Sequence, residues 1–373
     1  MMLFSIPSDF NYITIDKLAT INEQFKQKAK VIETYGQITE GTIISSGRIT
    51  NELPKVTEKD LEKYINYSMK RNIKFNYTLN PACFGNYEFT KEGIEALKTF
   101  LTRLKNIGVS SLTVTSPSLF EMIKFLGIGF ELKASAICEI TSPSKALFYQ
   151  KLGVSRIVID PDINKDLNKI KNIYSVINND IELIVNNVCY KNCAYKMFHY
   201  NHEAHCNQND DRQIVTNYYF NRCSIQKAEK QENPIKLNWI RPEDLKHYRN
   251  IGIRYFKIQG RQNVATGNVI KTLYHYINEN FDGNLYDLIT LFSPYNSFQH
   301  YIDNKKLDGY LDKFLTSDCN EVCGKCGHCE KYAKLSMQLD KVNILNKKAL
   351  EFYKYYDRYE QVIKSDHINS KEL

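Results

Sequence analysis

Eight of the ten cysteines fall into two short stretches of this 373-residue chain, and that crowding is the strongest chemical signal it carries. The first stretch holds Cys189 and Cys193, then Cys206 and Cys223. Thiolates are soft donors, and four of them brought together suit either a 4Fe-4S cluster or a tetrahedral zinc ion. Spacing leaves both open. His199, His202 and His205 recur at three-residue intervals through the same segment, along one side of a helix. They offer zinc a nitrogen set, His199 or His205 could donate to a bound group or carry a proton, and the plainer reading is a polar helix surface. The second stretch, Cys319, Cys323, Cys326 and Cys329, packs four thiols into DCNEVCGKCGHCEKYA, where Gly324 and Gly327 permit tight turns. It predicts a second metal knuckle, again a cluster or zinc.

The elements that must position these groups follow from hydrophobic periodicity. Apolar, β-branched or aromatic runs predict strands at Val31 to Gly36, Lys74 to Asn80, Ser111 to Pro117, Phe130 to Ile137, Arg156 to Pro161, Ile181 to Asn187, Ile235 to Ile240 and Tyr255 to Gly260. Helical spacing lies between most of them, as in Leu61, Tyr64, Ile65 and Met69. Thr57 with Asp60 reads as a capping box, Thr90 as an N-cap and Pro242 as a first helical residue. Gly108, Gly127, Gly153 and Gly252 each sit between apolar residues where a helix would end in a left-handed turn. Eight strands alternating with helices predict an eight-stranded parallel β/α barrel. The expected organisation is a barrel over 1–285 with a cysteine-bearing insertion at 188–233, then a helical C-terminal region at 286–373 with the cysteine knuckle at 319–329.

In such a barrel the C-terminal ends of the strands surround the active site. That rule nominates Tyr35, Asn80, Cys83, Cys138, Asp160, Asn186, Cys189, Arg241, Gln259 and Arg261. Cys138, after an apolar strand, reads more readily as a small buried hydrophobe. The first three cysteines of the knuckle match the C-x3-C-x2-C spacing of radical S-adenosylmethionine enzymes. In that family the motif follows the first barrel strand, whereas the loop after Val31 to Gly36 holds no cysteine.

Composition narrows the classes. The chain is 43% hydrophobic with a net charge of +8 from 50 basic and 42 acidic residues, which permits nucleic-acid binding without demanding it. The opening MMLFSIPSDF has no basic flank and meets Pro7 and Asp9 early, so a secretory leader is not expected, and no apolar run is long enough to span a membrane. A cytoplasmic location is expected, and there clustered cysteines favour metals over disulfides.

The segments IETYGQI and ISSGR, FNYTLNPACFGNYEFT, the cysteine-bearing sixth connection and RPEDLKHYRNIGIRYFKIQGR together resemble the collagenase-like peptidases of unassigned catalytic type, family thirty-two of the unknown-type peptidases. The resemblance runs from about Val31 to Arg261. Several members are oxygen-independent hydroxylation proteins, so it implies a 4Fe-4S cluster on Cys189, Cys193, Cys206 and Cys223. In some relatives a cysteine of the second βα loop joins the set, which would exchange Cys83 for Cys206 or Cys223.

Three functions compete. An iron-sulfur hydroxylase or related redox enzyme acting on an RNA, peptide or small-molecule substrate would use Arg241, Lys257 and Arg261 to hold an anion, with Asn80 and Tyr77 orienting it and His199 beside the cluster. For Lys257 and Arg261 the alternative is a salt bridge inside the barrel. A peptidase needs an activated nucleophile or metal-bound water, and the sequence has neither an HExxH helix nor a GxSxG elbow. An electron-transfer or scaffold subunit serving a partner would need the clusters alone.

Overall fold

Runs such as VIETYG and IELI alternate their side chains between two faces, and both faces are covered, which is the condition for strands of a helix-wrapped parallel sheet. The computed structural model describes residues 1–42, 46–205, 218–294, 298, 300–317, 319 and 325–355. Its strands are β1 Met2–Pro7, β2 Ala29–Gly36, β3 Lys74–Leu79, β4 Ser111–Val114, β5 Glu131–Ala134, β6 Arg156–Val158, β7 Asp180–Ile184, β8 Asn186–Tyr190, β9 Leu237–Trp239 and β10 Tyr255–Lys257. Eight of them close a barrel in the order β1-β10-β7-β6-β5-β4-β3-β2.

The closed parallel barrel agrees with the sequence reading, but one strand is exchanged. Met2–Pro7 closes it, with Phe4 opposite Val31 of β2 and Phe256 of β10. The run at Ile235 to Ile240 lies outside: its core, β9, pairs antiparallel with β8. The cysteine-bearing insertion therefore follows the seventh barrel strand rather than the sixth.

The helices are α1 Tyr12–Gln24, α2 Glu58–Met69, α3 Lys91–Asn106, α4 Pro117–Leu126, α5 Pro143–Lys151, α6 Leu167–Tyr174, α7 Lys196–His205, α8 Tyr218–Ala228, α9 Leu245–Asn250, α10 Val269–Asn278, α11 Leu285–Ile289, α12 Asp312–Thr316, α13 His328–Ser336 and α14 Leu339–Tyr355. Thr57 and Asp60 form the capping box of α2, and the Thr90 side chain accepts the Gly93 N–H at the start of α3. Gly108, Gly127, Gly153 and Gly252 all take positive φ, as their positions demand. Phe4, Phe75, Leu112, Leu183 and Phe256 are buried among the residues of the main core. The expected boundary at 285 falls on the first residue of α11. No described helix is long and apolar enough to cross a membrane.

The inside of the barrel departs from the usual filling of branched apolar residues. Lys133 of β5 binds Glu33 of β2 and, at 2.9 Å, Glu182 of β7. Arg156 of β6 lies 3.2 Å from Glu33 and 3.9 Å from Glu182. The Ser5 hydroxyl lies between both carboxylates, within hydrogen-bond reach of each and 2.5 Å from Glu33. Two acids and two bases thus neutralise one another in a layer where all four residues are buried.

Candidate active site at the barrel mouth

Period-two alternation carries this polarity upward. Tyr35 stands two residues beyond Glu33, and Thr78 and Asn80 follow Asn76, whose amide bonds Ser111 and Thr113 inside the barrel. The Lys257 amine, from the end of β10, sits 4.0 Å from the centre of the Tyr35 ring. Among the described residues it makes no ion pair or hydrogen bond, although Lys257 is only 7% exposed. Burial, with the charge of Lys133 beside it, brings this amine down to about 7.

Arg261 follows a turn that only glycine accommodates. Gly260 has φ +127°, and a Cβ there would meet Leu291 Cδ1 at 2.8 Å. The Arg261 guanidinium is buried, and its Nη1 donates to Gln37, to Ser46 Oγ at 3.2 Å and to Thr78 Oγ1 at 2.7 Å. All three partners are neutral, and no described carboxylate pairs with it. Burial and the like charge of Arg48 lower it to about 10. Among the described residues, therefore, neither Lys257 nor Arg261 forms a salt bridge inside the barrel.

Arg48 joins the mouth to the insertion. Its Nη1 lies 2.5 Å from Glu203 of α7, and His199 Nε2 lies 3.1 Å from the other oxygen of the same carboxylate. Burial opposes the charge on Glu203, but Arg48 and His199 hold it down at about 2. At the foot of α7, Lys196 reaches Asp160 at 2.5 Å and Asp162 at 2.8 Å, pinning the insertion to the end of β6. Asn80 donates to Ser135 Oγ at 3.2 Å and accepts from the Gly47 N–H at 3.4 Å, so it ties loops together at the rim.

The insertion's thiols feel one another. Burial, then the negative charges of Cys223 and Cys193, push Cys189 up to about 12, with Lys227 and Arg48 acting in the opposite sense. Lys227 hydrogen-bonds Cys223. Cys206 lies outside the described residues. Among those described, no three His, Cys, Asp or Glu side chains are grouped so as to hold a metal ion. In donor type the set is what a soft metal takes, since crowded buried thiols ionise readily only against a cation. Cys83 accepts the Gly85 N–H at 3.2 Å, and Cys138 is buried, its thiol 3.4 Å from the Thr115 carbonyl. In the knuckle, Cys319 and Cys326 are exposed and Cys329 meets the Tyr310 hydroxyl at 3.6 Å, while Cys323 lies outside the described residues.

Two nominated residues go elsewhere. Arg241 is committed to Asp244 through two bonds of 2.9 and 3.0 Å, and to Asp308 and the Asn304 carbonyl. Tyr77 stands three residues from Asn80 on one strand and hence on the opposite face, edge-on to Phe100 of α3 at 5.8 Å. Asn186 and Gln259 bond each other at the strand ends. Glu33, Lys133, Arg156, Glu182 and the Arg48–Glu203 pair were not nominated from the sequence, although a charged residue between apolar neighbours, as in IELI, was the signal for the buried ones.

The sequence profile of peptidase family U32 matches residues 46–318. The chain belongs to peptidase family U32. A relative from Methanocaldococcus jannaschii, described as an uncharacterized protease, is 32% identical over 344 residues, covering 91% of this chain and 99% of its own length. The solved structure of the U32 peptidase Mk0906 superimposes with a TM-score of 0.50 at 14% identity, over 69% of this chain and 92% of that one, which is a likeness of fold. A DNA topoisomerase 1 from Buchnera aphidicola matches 186 residues at 25% identity, 49% of this chain but 21% of the topoisomerase. The U32 profile spans the cysteine-bearing insertion, Lys257 and Arg261, and it begins two residues before Arg48.

Proposed function

We propose that this U32 chain is an iron-sulfur-dependent modifying enzyme that binds a small anion in its barrel mouth and performs an oxygen-independent hydroxylation or related redox step on an RNA, peptide or small-molecule substrate. The observation that carries this reading is the pair Lys257 and Arg261: two buried basic side chains without a described carboxylate partner, beneath an insertion rich in thiols. A guanidinium left with neutral partners in a low-dielectric site is poised for a carboxylate or phosphate. Cys189, Cys193 and Cys223, with Cys206, would hold a 4Fe-4S cluster, which supplies electron transfer when bound. Arg48 would orient the insertion over the mouth through Glu203.

Anaerobic purification tests the reading. Brown protein with broad absorption and about four iron and four sulfide per insertion site is expected, lost when Cys189 and Cys193 are both changed to Ala. Colourless protein loaded with zinc would overturn it. Peptide hydrolysis is the second reading, favoured by the names of the relatives. Cleavage of denatured collagen by metal-stripped protein would establish it over the first.

A further inference from the structure

Of the three buried lysines described, Lys133 is held by Glu33 and Glu182, and Lys196 by Asp160 and Asp162. Only Lys257 has an amine committed to no acid and no acceptor, and it emerges at the end of the eighth barrel strand, where barrels place reacting groups. It lies over the Tyr35 ring, 4.0 Å from its centre, and the Tyr35 hydroxyl donates to the Ile258 carbonyl at 2.8 Å and is thereby held in place. The charged groups around the amine are Lys133 and Arg261 on the positive side and Glu182 and Glu33 on the negative, with both acids already engaged by Lys133 and Arg156. An amine desolvated next to other cations loses its proton readily and becomes a nucleophile.

We propose that Lys257 is a catalytic nucleophile that forms an imine with the carbonyl carbon of a 2-oxo acid whose carboxylate is held by Arg261. The oxo acid follows from adjacency, because Arg261 lies four residues on, across the Gly260 turn, close enough for its charge to act both on the Lys257 amine and on the Tyr35 beneath that amine. The Nζ lone pair attacks the carbonyl carbon, a C–N bond forms, and the carbonyl oxygen leaves as water with the two amine protons. No oxidant or reductant is consumed. The amine's fall to about 7 leaves a large neutral fraction at physiological pH.

This inference rests on the mouth being an anion site, and the test separates the two. Full-length protein is mixed with pyruvate as the probe and treated with borohydride, which reduces an imine to a stable secondary amine, and the modified peptide is mapped by mass spectrometry. The expected product is one carboxyethyl group on Lys257. Lys257→Arg and Lys257→Met should abolish it, and Arg261→Gln should lower its yield about tenfold or more while Lys257 stays the modified residue. Pyruvate binding is measured in parallel by calorimetry without borohydride. Binding that weakens in Arg261→Gln, with no adduct or with adducts only on exposed lysines, overturns the nucleophile and leaves the anion site standing. Neither binding nor adduct overturns both. Because the adduct is mapped in the unaltered chain, the result survives even where a Lys257 variant fails to fold.

Discussion

Two arginines, one past a strand outside the barrel and one past a barrel strand, show what decides a residue's role. Arg241 and Arg261 each follow a short strand, and the sequence treats them alike. Arg241 is spoken for because the chain supplies Asp244 three residues later, within the RPED turn, and Asp308 from the C-terminal region. That local acid was legible, whereas Asp308 was not, since its approach depends on the whole fold. Arg261 has Gln37, Ser46 and Thr78 instead, drawn from the connection after β2 and from β3. The arginine-to-lysine exchange should therefore give opposite results at the two positions. Arg241→Lys loses the fork on Asp244 and should lower unfolding free energy by about 1.5–3 kcal/mol in denaturant titration, with anion affinity unchanged. Arg261→Lys should keep its melting temperature and cluster content and weaken anion binding about tenfold. A destabilised Arg261→Lys with normal affinity would make that residue a strut of the barrel.

At the level of elements, the barrel was legible in kind and the membership of its strands was not. MLFSIP and IKLNWI are both short apolar runs, and hydrophobicity reports that a strand is buried without saying on which partner. The first closes the barrel, and the second is diverted because β8 leaves the barrel with β7 only one residue behind it and takes β9 as its partner. The insertion between them behaves as a unit pinned at two points, Lys196 at its base and Glu203 further along α7. Glu203→Gln removes the partner of Arg48 and one contact of His199. Hydrogen exchange in α7 should then quicken several-fold while β1 to β7 keep their protection. Unchanged exchange would mean that Lys196 alone carries the attachment. The knuckle can be tested separately: changing Cys319 and Cys326 to Ser should reduce bound metal and leave the brown colour of the insertion site. Point changes serve better than truncation, because α14 packs on α8, the helix that bears Cys223.

For the molecule as a whole, the ionic layer inside the barrel sets how stability responds to acid. Burial would raise the Glu182 carboxyl, but Lys133 and Arg156 overcome it and hold the group at about 2 against an ordinary value of 4.5. A carboxyl depressed in the folded state stabilises the fold above its unfolded value, and that contribution drains away as pH falls toward the folded value. Unfolding free energy should decline between about pH 4.5 and 2, with a shallower slope in Glu182→Gln. That variant should also lose about 3 kcal/mol or more at neutral pH, since it leaves the cations half-compensated. An equal slope in both proteins would show that Glu182 does not govern acid unfolding. The closing strand has a consequence in time. Because β1 must wait for β10, a nascent chain leaving the ribosome carries an open sheet, β1 to β7, with two raw edges, until residue 257 has emerged. All four insertion cysteines have been synthesised before that moment. The thiols of the insertion are thus made during an interval of translation in which the mouth beneath them has not yet been sealed, and the cluster proposed for them would have that interval to enter.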